Sequence, residues 1–138
     1  MGNVLDIKDL QYINLFEKIT RVSTRFCFKY NDAIVFAVPK HLVSKAVGRN
    51  GENVKELNRV TRRKIKVIPI PQGEGHAREF IQAIVKPVTF KDLEVADDKI
   101  IITAGSQNKA ALLGRNKRRL IELQGIVKDF FSRELRIV

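Results

Sequence analysis

Gly48 and Gly51 enclose Arg49 and Asn50, and this spacing of residue types suits the capture of an anion. A glycine that closes one helix can take a left-handed conformation at little steric cost. Gly51 has no Cβ, so a phosphate can come close to its backbone. A helix beginning just after it would offer unbonded N–H groups and a partial positive charge. Arg49 supplies charge-assisted donors and Asn50 neutral ones. Lys45 and Val47 lie before the loop, and Asn53 and Val54 after it. With 8 glycines in 138 residues, about 0.5 such matches arise by chance. The context must therefore carry the weight.

That context includes a second copy. Gly114-Arg115-Asn116-Lys117 lies 66 residues on, with Lys117 in the place of the second glycine. The same ungapped offset carries Asn31-Asp32 to Asp97-Asp98, Ile34-Val35-Phe36 to Ile100-Ile101-Ile102, and Glu56-Leu57 to Glu122-Leu123. Farther back it carries Leu15, Ile19 and Val22 to Ile81, Val85 and Val88. A single offset joining so many elements indicates two copies of one fold. Pro69, Pro71, Gly73 and Gly75 mark the break, because neither a helix nor a central strand persists there. The expected domains are 1–70 and 71–138. The first holds 14 basic and 6 acidic residues and the second 12 and 9, so the first should hold a polyanion more tightly. In the second, Lys109, Arg115, Lys117, Arg118 and Arg119 form the most basic stretch, and a weaker site is expected there.

The elements that must position these loops follow from hydropathy periods and turn residues. Leu10, Ile13, Leu15, Phe16 and Ile19 predict a helix over 8–20. Strands are expected at 24–30 and 33–38, with Asn31-Asp32 as their turn. Pro39 opens a short helix through Val47 that Gly48 ends. A second helix over 52–61 should bury Val54, Leu57 and Val60, before a strand at 64–68. The second copy reads as helix 77–86, strands 88–96 and 99–104, helices 107–113 and 117–131, and strand 133–138. Each copy is thus α-β-β-α-α-β, an α+β unit whose three-stranded sheet is covered by helices on one face. The basic strand carries Lys64 and Lys66 in alternation with Ile65 and Val67. The run Arg62-Arg63-Lys64 reads equally well as a phosphate contact and as solvated surface.

Composition narrows the function. The chain has 26 Lys+Arg against 15 Asp+Glu, a net charge of +11, which attracts polyanions at long range. Its 44% hydrophobic content indicates a packed core rather than a disordered basic tail. No apolar run of membrane-spanning length occurs, and the first ten residues lack the layout of a secretory signal. One cysteine and two distant histidines, His41 and His76, offer neither a disulfide nor a metal site. Cys27 lies between two phenylalanines in an expected strand and reads as inert. Asp97-Asp98 reads as a turn rather than a catalytic pair. No enzyme, cofactor, metal or small-molecule substrate is expected, and a cytoplasmic placement follows. With two tyrosines and no tryptophan, strong aromatic stacking on bases is not the main device.

In sequence, Val38-Pro39, then Val43-Ser44-Lys45-Ala46-Val47, Gly48-Arg49-Asn50-Gly51 and Glu52-Asn53-Val54 resemble a K-homology (KH) domain. The loop of that domain clamps four nucleotides of single-stranded nucleic acid. Two such units in tandem, each opening with a helix and a strand before its β-α-α-β core, match the type II variant. Together with the segment 80–88 (F-I-Q-A-I-V-K-P-V), the whole chain resembles the archaeal NusA-like transcription termination family. The resemblance implies a single-stranded RNA-binding protein of transcription termination or antitermination, with RNA polymerase as a candidate partner. It places Lys45, Val47, Gly48, Arg49, Asn50, Gly51, Asn53, Val54, Lys64 and Lys66 at the RNA in copy one, with Val47 and Val54 by an apolar groove for bases that Ile65 and Val67 line or support. In copy two it places Lys109, Gly114, Arg115, Asn116 and Lys117 there. Bacterial relatives add a polymerase-binding domain and an S1 domain, for which 138 residues leave no room, so only the RNA-binding part is expected to transfer. Two alternatives stay open: an adaptor docking on RNA polymerase or a ribosomal component, and a ribosome-associated or RNA-processing KH protein.

Overall fold

The computed structural model describes residues 6–138, which divide into two compact units that part between Ile70 and Pro71. In the first, α1 (Ile7–Thr20) opens on a reciprocal cap. The Asp6 carboxylate accepts from the Asp9 N–H at 2.8 Å, and Asp9 accepts from that of Asp6 at 3.5 Å. The helix closes on Arg21 in the left-handed region (φ 62°). Its buried face is Ile13, Phe16 and Thr20, whereas Leu10, expected inward, is 47% exposed. Strands β1 (Phe26–Tyr30) and β2 (Ala33–Val38) pair antiparallel around Asn31-Asp32, both at positive φ as a tight hairpin requires. β3 (Lys64–Pro69) joins the other edge of β2 in parallel, giving the order β1-β2-β3.

Between β2 and β3 the chain makes a 3-10 turn (Lys40–Leu42), α2 (Val43–Val47), and α3 (Glu52–Thr61). Pro39 stands before the turn, and the single helix expected through Val47 is broken into these two pieces. Phe16 stacks on Phe36 with ring centroids 4.2 Å apart, and Ile34, Val38, Ala46, Leu57 and Ile65 complete the core. On α3 only Leu57 is fully buried. Val54 is partly so, and Val60, expected inward, is 46% exposed, because the core-facing line continues to Thr61.

The second unit repeats the order with α4 (Ala77–Val85), β4 (Asp92–Val95), β5 (Lys99–Thr103), α5 (Ser106–Leu113), α6 (Arg118–Phe131) and β6 (Glu134–Ile137). Its sheet again pairs antiparallel then parallel, in the order β4-β5-β6. Ile81, Ile84, Ile100, Ile102, Leu112, Leu123 and Val127 form its core. The strand expected from residue 88 begins only at Asp92. Val88 instead donates its N–H to Val85 O at 3.0 Å and accepts from Gln82 Nε2 at 2.8 Å, so its backbone closes the helix end.

The two units are related less simply than one offset implies. From the hairpin to the loop the shift is 66, but Lys64 pairs with Ala33 where Glu134 pairs with Lys99, a shift of 70 at the last strand. The four extra residues lengthen α6 by about one turn, which returns the chain to the same face. At the first helices an offset of 64 lays Ile13, Phe16 and Thr20 on Ala77, Phe80 and Ile84, all buried. The offset of 66 would set buried Phe16 against half-buried Gln82.

Candidate nucleic-acid interface

The first loop is built by three consecutive backbone decisions. Gly48 ends α2 by donating its N–H to Ser44 O at 3.0 Å, at φ 83°, ψ 167°. Asn50 and Gly51 then both sit in the left-handed region (φ 56° and 72°), and the Gly51 N–H donates to Gly48 O at 3.0 Å. The chain reverses within four residues and enters α3, whose N-terminus carries no side-chain cap. Arg49 and Asn50 are exposed at the tip.

The glycines serve different ends. A Cβ on Gly48 would fall 2.9 Å from Asn53 Cγ and 3.0 Å from its backbone nitrogen, so internal packing excludes a side chain. Nothing lies within 4 Å of the corresponding position on Gly51. Its bare face is open to an incoming group.

The second loop reproduces this backbone. Gly114 stands at φ 76°, ψ 172°, Asn116 at φ 56°, and Lys117 at φ 59°. The Gly114 N–H reaches Ala110 O at 3.0 Å and that of Lys117 reaches Gly114 O at 3.1 Å. Lys117 therefore adopts a conformation that costs a side-chain-bearing residue about 1–2 kcal/mol. The departure from the glycine pattern changes what projects from the loop and leaves its path unaltered. Arg115, Asn116 and Lys117 are exposed, as is Lys109 on α5.

Around the first loop the structure gathers exposed Lys45, half-buried Val47 and Val54, and Asn53, whose Nδ2 donates to Lys45 O at 3.2 Å. Val54 packs on the core beside Leu42 and Val43. The basic strand is arranged otherwise. Ile65 and Val67 face the helices, with Ile65 buried in the core, so strand alternation turns Lys64 and Lys66 to the opposite face of the sheet. Arg62 and Arg63 form an exposed corner held by Asn58 Nδ2 on Arg63 O at 2.8 Å. This corner lies at the far end of α3, about 15 Å from the loop at the rise of an α-helix. Sequence spacing did not signal the bond from Asn53, nor its counterpart in the second unit, where Arg119 Nη1 donates to Ala111 O at 2.9 Å.

Elsewhere, burial pushes the Cys27 thiol up to about 12. His41 is exposed, and His76 Nδ1 accepts from the Gln72 N–H at 3.1 Å. Asp97 and Asp98 occupy the exposed β4–β5 turn, where Asp98 O accepts from the Glu134 N–H at 3.0 Å. Among the described residues no three His, Cys, Asp or Glu side chains are grouped to hold a metal ion. No helix among them is long and apolar enough to cross a membrane.

The chain is similar to the "Probable transcription termination protein NusA" of Methanococcus vannielii, with 27% identity over 128 residues covering 88% of this chain and 72% of that protein. The protein of the same name from Methanocaldococcus jannaschii is 27% identical over 128 residues, covering 90% and 68%. The crystal structure of APE1850 shares the fold, with a TM-score of 0.65 and 21% identity, covering 96% of this chain and 99% of that one. The model of the KH domain matches residues 33–129, from β2 of the first unit to α6 of the second. That span holds both loops, at 48–51 and 114–117, and strands β2 to β5, and the chain belongs to the KH domain family.

Proposed function

We propose that the protein binds single-stranded RNA through the loop at Gly48-Arg49-Asn50-Gly51, with a weaker site at Gly114-Arg115-Asn116-Lys117, and that it acts in transcription termination or antitermination. The repeated order α-β-β-α-α-β, with one antiparallel and one parallel strand pair per sheet, supports two type II KH units. The observation that carries the reading is the open face of Gly51 beside exposed Arg49 and Asn50. A sugar-phosphate can reach the backbone there, at the uncapped start of a helix, where anions are favoured. Val47 and Val54 flank the loop and offer apolar surface for an unstacked base. The transcriptional role rests on the likeness to the two archaeal proteins named for termination.

The test replaces both Arg49 and Asn50 by Asp. The variant should stay folded by circular dichroism and lose affinity for single-stranded RNA tenfold or more, with duplex RNA and single-stranded DNA as comparators. Unchanged affinity removes the clamp. If binding to RNA polymerase or a ribosomal component then persists, the adaptor reading replaces it.

A further inference from the structure

Asn53 and Arg119 each stand second in the helix that follows a loop. The side chains differ in length, charge and shape. Each nevertheless donates backwards over eight residues to the carbonyl three places before the first glycine: Asn53 Nδ2 to Lys45 O, Arg119 Nη1 to Ala111 O. That carbonyl lies in the last turn of a helix, where acceptors lack an intrahelical donor. Each side chain also lies across the face of the first glycine. A Cβ on Gly48 would come within 2.9 Å of Asn53 Cγ, and one on Gly114 within 2.7 Å of Arg119 Cγ.

We infer that Asn53 and Arg119 are positioning residues, struts that tie the helix after each loop to the helix before it and hold the loop in its binding shape without touching the RNA. The inference rests on the reading of the loops as RNA clamps, and it gives Asn53 a role different from the contact its place in the motif suggests. Two unlike side chains making one bond in two units is the expected mark of a geometric requirement. The bond to Lys45 O commits one Nδ2–H of Asn53 to the preceding helix and turns the side chain toward that helix. For Arg119 the distinction is sharper. It is half-buried beside exposed Arg115 and Lys117, so it shapes the loop while those two meet phosphate.

The test uses the full chain with Asn53→Ala, Asn53→Arg, Arg119→Ala, Arg119→Asn and, as comparator, Lys117→Ala. Amide hydrogen exchange is followed at residues 48–51 and 114–117 without RNA. Affinity for a mixed-sequence single-stranded oligoribonucleotide is measured at several salt concentrations. Asn53→Ala should speed exchange in the first loop several-fold and weaken RNA binding several-fold, and Asn53→Arg, borrowing the other unit's strut, should restore both. Arg119→Ala should speed exchange in the second loop and leave the salt slope unchanged, with Arg119→Asn restoring slow exchange. Lys117→Ala should flatten the slope by about 0.7. Weaker RNA binding by Asn53→Ala with unchanged exchange would make Asn53 a contact and overturn the inference. Faster exchange with undiminished affinity, or a slope flattened by Arg119→Ala, would overturn it equally. A wild-type chain that fails to bind the oligomer sinks the clamp reading instead, and the exchange data then judge the strut alone.

Discussion

At Gly48 and Gly51 two identical residues, three apart, are needed for different reasons, and substitution separates them. Gly51 has open space where a Cβ would go, so Gly51→Ala meets only the left-handed backbone, at about 1–2 kcal/mol. Gly48→Ala meets a backbone region that only glycine populates readily, at about 1–3 kcal/mol, and also a clash with Asn53. Denaturant melts should therefore rank Gly48→Ala as the more destabilising, while Gly51→Ala loses RNA affinity beyond what its small stability change explains. The second unit offers the reciprocal: Lys117→Gly should stabilise by about 1 kcal/mol, since it relieves the same left-handed strain. Cys27 makes a further residue-scale prediction. Burial raises its thiol from 9.0 to about 12, so the folded state favours the neutral form. Its contribution to stability is full below pH 9 and fades as pH rises toward 12. A thiol reagent at pH 8 should label it only as the protein unfolds.

Helix α3 links the loop to the core, and its burial decides how firmly the loop is carried. Leu57 is fully buried against Phe36 and its neighbours, whereas Val60, one turn on, is 46% exposed. Leu57→Ala should cost about 2–5 kcal/mol and Val60→Ala within about 0.5 kcal/mol, as thermal or chemical unfolding will show. The hydropathy pattern implied burial for both, because each is aliphatic and three residues apart on one broad face. Which of them meets the sheet depends on how α3 is rotated on β2 and β3. Strand β3 teaches a similar lesson. Its letters alternate, and alternation alone sends Lys64 and Lys66 away from Ile65 and Val67, so a strand that looks uniformly basic presents its cations to one face only.

For the whole chain, a net charge of +11 sets a long-range attraction for polyanions, and under the proposed function the loops set where it is used. Engagement of about 4 phosphates predicts a log–log salt slope near −3 for single-stranded RNA. A titration from low to high salt measures it, and a slope near zero would leave the basic surplus without a nucleic-acid role. Much of this was legible from the letters: two copies, their element order, both hairpin turns and the position of the loops. These follow from local physics, since hydropathy periods, turn-forming Asn and Asp, and helix-ending glycines act within a few residues. Tertiary structure decided the rest. That Lys117 follows the path of Gly51, that α6 is longer by a turn, that β4 starts at Asp92, and that Asn53 and Arg119 brace their loops all depend on partners brought together by folding. An amide and a guanidinium share no sequence signature, and only the carbonyl that each one reaches reveals the common task.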